Sequence, residues 1–225
     1  MAPHMRLVMD ELGVPKKKIA DIMFGINTEI FNDKKRELPA TEFVITSTRN
    51  FEKVYNHEQF IRAVAKIRDK IPALKVIMAG DGSMKQEMMD LAAGLGLEGV
   101  ISFRGKLPQQ QIVEILNSTH VFVTVSLSDG NALSLLEAMA CGAYPVASDI
   151  PANREWVKEG INGNFVAIGD VDLLAERLLE AFRNYASLSA KAKVESERVI
   201  AEKGTWQVNM DKMEKNYKKL AGNGK

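Results

Sequence analysis

Short apolar strands alternate with amphipathic helices along most of this chain, and this alternation limits its possible folds more than any other feature. The predicted strands are Glu42–Thr48, Leu74–Ala79, Val100–Phe103, His120–Val125, Tyr144–Ala147 and Asn164–Ala167. Apolar residues at helical spacing predict helices over 56–71, 84–95, 108–118, 131–140, 171–183 and 205–220. Repeated strand–helix units with apolar strands require a parallel sheet covered on both faces. The sequence therefore predicts an α/β fold with a doubly wound, Rossmann-like parallel sheet.

Composition excludes several classes of function. The 225 residues carry a formal net charge of +1, so no global positive field favours a nucleic-acid partner. A single cysteine, Cys141, excludes an internal disulfide framework and favours a reducing, cytoplasmic location. The sequence contains neither a signal peptide nor an apolar run long enough to span a membrane. Residues 1–5 are interpreted as an expression scar.

The segment Asp129–Glu137 places two carboxylates at a position where a sheet of this type binds ligands. It follows a predicted strand, and doubly wound sheets bind ligands beyond the carboxyl ends of their strands. Glu137 falls within an apolar helix, where an ionised carboxylate is costly unless it is bound. At helical spacing it shares an arc with the small residues Gly130, Ser134 and Cys141, which leaves room for a ligand.

Two interpretations of this segment remain open at the level of the residues. In the first, the free N–H groups at the predicted helix start, Asn131–Leu133, bind a phosphate and Glu137 binds ligand hydroxyls. In the second, Asp129 only caps the helix and Glu137 pairs with a core arginine or lysine.

The same segment, with Ala138–Gly142 and Pro145–Asp149 after it, resembles the retaining GT-B glycosyltransferases of family 4. Those enzymes carry two acids separated by seven residues, then Ala-Met-Ala-x-Gly and a Pro-Val-Val-Ala-Ser-like segment. The resemblance runs in order from residue 12 to about 183. It also includes Gly25–Phe31, Val76–Gly82, Asn153–Trp156 and Glu159–Gly163. It implies one half of a GT-B fold, the carboxy-terminal domain that binds the sugar donor.

The resemblance implies a role for each matching residue. Three residues are expected to be catalytic: Arg49 on the diphosphate, Glu137 on the ribose hydroxyls and Asp129 on the donor sugar. The backbone of Gly130, Asn131, Ala132 and Leu133 is expected to hold the sugar and diphosphate. The edge containing Arg104, Gly105 and Leu107 is expected to bind the base, and Gly82 lies in the glycine turn expected near the nucleotide. The substrate is expected to be a UDP-, GDP- or ADP-sugar, with no cofactor and no metal.

The chain departs from the family pattern at three places. Asp129 replaces the usual glutamate, and Gly-Asn-Ala replaces Gly-Phe-Gly at 130–132. Tyr55 stands where the family has a diphosphate-binding lysine, with Lys53 two residues earlier as an alternative cation. These departures keep a non-catalytic sugar-nucleotide sensor or assembly module open, beside a GT-B epimerase or phosphorylase.

The family also implies a preceding domain that binds the acceptor glycan or lipid. Residues 6–41 are therefore expected to be a connector, 42–200 the donor-binding domain and 201–225 a carboxy-terminal amphipathic helix and tail. The chain is expected to be an excised domain or a natural half that binds nucleotides weakly and transfers no sugar alone. Basic residues in 16–18 and 212–219 are expected to be solvated, with weak contact to the inner membrane face as the alternative.

We interpret the remaining candidate residues as structural. Asp170 and Asp172 open a predicted helix, where Asp170 is expected to cap rather than to bind a metal. His57 and His120 lack a nucleophile at a motif spacing and are expected to be structural. Cys141 is expected to be a small buried residue.

Overall fold

Six parallel strands form the centre of the molecule, which was analysed as a computed structural model that describes residues 5–222. Their order across the sheet is β3-β2-β1-β4-β5-β6, with every neighbouring pair parallel. The strands are β1 Phe43–Ser47, β2 Leu74–Ala79, β3 Ile101–Gly105, β4 Val121–Thr124, β5 Tyr144–Ser148 and β6 Asn164–Val166. This strand order is that of the doubly wound dinucleotide-binding fold, so the predicted Rossmann-like sheet is confirmed.

Helices cover both faces of the sheet. They are α1 Arg6–Glu11, α2 His57–Ile67, α3 Lys85–Gly94, α4 Gln109–Asn117, α5 Leu133–Ala140, α6 Pro151–Arg154, α7 Val171–Arg183, α8 Tyr185–Val199 and α9 Trp206–Gly222. Short 3-10 turns span Lys16–Lys18 and Lys53–Tyr55, and a π-helical turn spans Ile200–Gly204. No helix within residues 5–222 has both the length and the apolarity to cross a bilayer.

Two hydrophobic cores lie on opposite faces of the sheet, and alternation along the strands divides the side chains between them. In β4, Val121 and Val123 join the core that contains α2, α3 and α7, whereas Phe122 joins the core that contains α4 and α5. Burial on both faces explains why the central strands β1, β4 and β5 are buried at every position, whereas the edge strand β3 alternates between half-buried and exposed residues.

Residues 23–36 pack against this second core as part of the same molecule. Arg36 donates from its guanidinium to the carbonyl oxygens of Leu116, Thr119 and Cys141, at the carboxyl ends of α4 and α5. Ile26 forms a parallel bridge with Thr205, the residue before α9. Gly25 allows this approach, because a Cβ there would lie 2.4 Å from the Thr205 carbonyl oxygen. The expected divisions at 41/42 and 200/201 remain predictions.

The predicted elements differ from the structure in a few bounds, and three observed helices have no predicted counterpart. These are the short helices α1 and α6 and the long helix α8. The helix predicted from Asn131 begins instead at Leu133, because the backbone of Ala132 (φ -75°, ψ 71°) lies outside the helical region. The helix predicted over 171–183 matches α7, and the predicted Asp170 cap is confirmed, since its carboxylate accepts from Leu173 N at 2.9 Å.

Candidate functional site

The site forms where the strand order reverses, between β1 and β4. The connections that follow these two strands leave the sheet in opposite directions and open a crevice at the carboxyl edge. Arg49 follows β1 and Asp129 follows β4, so the fold brings together two residues that are eighty positions apart.

Arg49 is held from three sides. Its guanidinium is ion-paired and hydrogen-bonded to Asp129, and it donates to Ser134 Oγ at 2.9 Å. Its Cζ atom lies 4.2 Å from the centre of the Tyr55 ring, a distance typical of a cation–π contact. The buried Nε has no hydrogen-bond partner within residues 5–222. Sequence reasoning found Arg49 and Asp129 but missed the contacts of Tyr55 and Ser134 with Arg49.

Asp129 uses its two carboxylate oxygens differently. Oδ1 accepts from the backbone N–H of Asn131 at 3.0 Å, and Oδ2 accepts from Arg49. The helix α5 begins after Ala132 without a side-chain cap, so the interpretation of Asp129 as only a helix cap is wrong. The side chains of Arg49 and Asp129 are only 11% and 10% exposed, which protects their ion pair from solvent.

Glu137 lies on α5, half-buried and one turn beyond Ser134. No hydrogen bond or ion pair to its carboxylate occurs within the described part of the chain, so it does not pair with a core lysine or arginine. Burial raises the pKa of Glu137 to about 7, and the positive charge of Arg49 opposes that rise only in part. A carboxylate in this environment is stabilised by a ligand that donates hydroxyl hydrogen bonds.

The loop before α5 offers hydrogen-bond groups that the protein leaves unused. Within the described residues, the backbone N–H groups of Gly130, Ala132 and Ser134 have no acceptor. Both polar atoms of the Asn131 amide are buried without a partner. Free N–H groups at a helix start, with the partial positive charge of the helix, favour an anion such as phosphate.

The predicted second cation lies apart from this cluster. Lys53 is exposed and lines a cavity of about 400 Å³ together with Glu52, Met84 and Glu87. Tyr55, from the same 3-10 turn, contacts Arg49 through its ring and brings no charge. The arrangement therefore holds one buried cation, Arg49, beside one buried anion.

The predicted base-binding edge lies at the end of β3, three strands from β4 and therefore roughly 14 Å across the sheet. Arg104 is exposed there, Leu107 is half-buried, and Gly105 accepts a hydrogen bond from Gly80 N at 2.8 Å. Gly82 packs against the loop after β1, where a Cβ would lie 2.5 Å from the Phe51 carbonyl oxygen. Its backbone thus fixes the spacing of two loops at the carboxyl edge.

The two histidines and the cysteine considered in the sequence lie in buried surroundings outside the site. His57 hydrogen-bonds to the Asn50 carbonyl at 2.9 Å, and His120 Nδ1 accepts from Val44 N at 3.1 Å. Burial lowers the pKa of each imidazole to about 4. Burial likewise raises the pKa of the Cys141 thiol to about 12. Within residues 5–222, no three His, Cys, Asp or Glu side chains are grouped to hold a metal ion.

A doubly wound sheet with a buried cation, two carboxylates and free N–H groups at its switch point is typical of nucleotide-binding domains. The chain belongs to the glycosyl transferases group 1 family, whose sequence profile matches residues 29–199. This confirms the resemblance on which the residue roles were predicted.

Relatives agree with this assignment. The chain is 29% identical over 168 residues to the putative glycosyltransferase EpsD of Bacillus subtilis, covering 70% of this chain and 44% of EpsD. It thus spans about half the length of the relatives it matches. A glycosyltransferase from Rickettsia africae superposes with a TM-score of 0.87 at 18% identity, covering 97% of this chain and 62% of that one. HepE from Anabaena, in complex with UDP, gives 0.85 at 16% identity with the same coverage. These likenesses confirm the predicted fold as one half of a GT-B glycosyltransferase.

Proposed function

We propose that this chain is the nucleotide-sugar-binding domain of a retaining glycosyltransferase. The full enzyme transfers a hexose-type sugar from a nucleoside diphosphate sugar to an acceptor glycan or lipid. One observation carries the proposal: Glu137 is a half-buried carboxylate that has no partner among residues 5–222, beside Arg49 at the switch point of the sheet. The UDP bound to HepE supports a nucleotide as the ligand of this fold.

Each residue of the site binds a different part of the donor. Glu137 accepts from the ribose hydroxyls, Arg49 and the free N–H groups of the loop 130–134 bind the diphosphate, and Asp129 accepts from the sugar. The carboxyl end of β3, with Arg104, receives the base. In a nucleoside diphosphate the ribose lies between the base and the diphosphate, and the roughly 14 Å between β3 and β4 across the sheet leaves room for that order.

The chemistry needs this arrangement. Breaking the bond between the anomeric carbon and the diphosphate places negative charge on the leaving oxygen. Arg49 is already positioned by Ser134 and Tyr55, so it stabilises that charge without moving. The acceptor is bound by the preceding domain of the full enzyme, and this polypeptide alone is expected to bind the donor without transferring its sugar.

Calorimetric titration with UDP, GDP and ADP tests the proposal. We expect one of the three to bind weakly to the wild-type chain and binding to be lost in Glu137→Ala. The matched control is Glu176→Ala, which removes an exposed glutamate from α7 and leaves binding unchanged. Equal loss in both variants, or no binding of any nucleotide, contradicts the proposal and favours an assembly module. Sugar transfer by the purified chain contradicts only the need for a second domain.

A further inference from the structure

The diphosphate-binding arginine already has an anionic partner within the protein. Arg49 is paired with Asp129, both side chains are about nine-tenths buried, and Lys53 is exposed outside the pair. The cation and the anion cancel, so an incoming diphosphate meets no net positive charge at this point. Phosphate oxygens that bind the Nη2 side of the Arg49 guanidinium therefore compete with the Asp129 carboxylate for it.

The two oxygens of Asp129 are not equally available for exchange. The Asn131 N–H binds Oδ1 and fixes the carboxylate to its own loop, whereas only Oδ2 depends on Arg49. A ligand that takes Arg49 leaves Oδ2 without a partner while Oδ1 stays bound. Leaving a buried carboxylate oxygen unpaired is costly, unless the same ligand supplies a donor for it.

We propose that Asp129 is a specificity-determining residue that selects an intact nucleoside diphosphate sugar over the free nucleoside diphosphate. An intact donor takes Arg49 with its phosphates and satisfies Oδ2 with a sugar hydroxyl. A free diphosphate takes Arg49, offers no hydroxyl to Oδ2, and brings an additional negative charge to its terminal phosphate. The repulsion weakens binding of the product and helps it to leave. This inference rests on the proposed function of the site.

The experiment compares the dissociation constants of three matched pairs, measured by calorimetry: UDP with UDP-glucose, GDP with GDP-mannose and ADP with ADP-glucose. In wild type, we expect the sugar nucleotide of the recognised base to bind more tightly than its diphosphate. Asp129→Asn keeps the shape and removes the charge, so we expect the free diphosphate to bind roughly tenfold more tightly. The preference for the sugar nucleotide then shrinks or reverses.

Two control variants distinguish the effect of the Asp129 charge from a general loss of structure. Asp129→Glu keeps the charge and is expected to keep the preference. Asp149→Asn removes another ion-paired aspartate, the partner of Arg154 beyond β5, and is expected to change neither affinity. Thermal unfolding of each variant reports whether it is folded, and Asp129→Ser replaces Asp129→Asn in the comparison if the latter does not fold.

The outcomes distinguish this inference from the proposed function. Nucleotide binding by wild type with an unchanged preference in Asp129→Asn overturns the inference and leaves the proposed function standing. Binding of a diphosphate by Asp129→Asn but not by wild type supports the inference directly. No binding of any nucleotide to either protein overturns both.

Discussion

Replacing Glu137 by glutamine is expected to stabilise the protein at alkaline pH while it weakens nucleotide binding. Burial raises the pKa of Glu137 from 4.5 to about 7 in the folded chain. Between these values the folded state binds more protons than the unfolded state, so the free energy of unfolding decreases as the pH rises. Glutamine carries no charge and escapes this penalty.

The size of the effect follows from the pKa shift. A shift of this size corresponds to a ceiling of about 3 kcal/mol at pH 8, at about 1.4 kcal/mol for each pKa unit. Glu137 is only half-buried, so solvent screening reduces the expected gain of Glu137→Gln to about 1–2 kcal/mol. At pH 5 most of the penalty is absent in wild type, and the gain falls below about 0.5 kcal/mol.

Urea unfolding of wild type and Glu137→Gln at pH 5 and pH 8 measures this difference. Glu176→Gln, an exposed change on α7, is the control and is expected to shift stability equally little at both pH values. The quantity compared is the gain in free energy of unfolding of Glu137→Gln over wild type. A gain that is no larger at pH 8 than at pH 5 refutes the reasoning. It would mean that the carboxylate is already satisfied within the protein and has no need of ligand hydroxyls.

Three other changes test the site and its surroundings. Arg49→Lys loses the planar contact with Tyr55 and the paired donors, so nucleotide affinity measured by calorimetry is expected to fall by about tenfold or more; an unchanged affinity would remove Arg49 from the diphosphate site. Asp170→Ala is expected to lower the free energy of unfolding in urea by about 1 kcal/mol, because the cap of α7 is lost. Asp172→Ala, an exposed change in the same turn, is the control and is expected to lower the free energy of unfolding by less than half as much. The pKa values of His57 and His120 are lowered to about 4, so the stability that these two histidines contribute is expected to be fully present above pH 6.5 and to be lost as the pH drops toward 4. Imidazole resonances that titrate near pH 6.5 in the folded protein would contradict this.

The sheet was largely predictable from sequence because its strands are apolar on both faces and end at turn-forming residues. All six predicted strands overlap the observed ones, although β3 extends two residues further, through Gly105. The meeting of Arg49 and Asp129 also followed from the fold, since the ends of β1 and β4 adjoin at the switch point.

The missed features depend on side-chain contacts that leave no periodic signal. The helix α8 is mostly alanine, serine and charged residues, and only Ala192, Ser196 and Val199 are buried in it. The α5 helix starts two residues later than predicted because the Ala132 backbone is not helical, a local conformation that apolar spacing does not reveal. The Tyr55 ring reaches Arg49 from a 3-10 turn, which apolar spacing does not reveal.

The bridge between Ile26 and Thr205 has a mechanical consequence. Ile26 accepts from Trp206 N and donates to the Gly204 carbonyl, both at 2.8 Å, so two passages of the chain are clamped side by side. The segment around Ile26 and the start of α9 are therefore held together by two backbone hydrogen bonds, so a displacement of one segment is transmitted to the other.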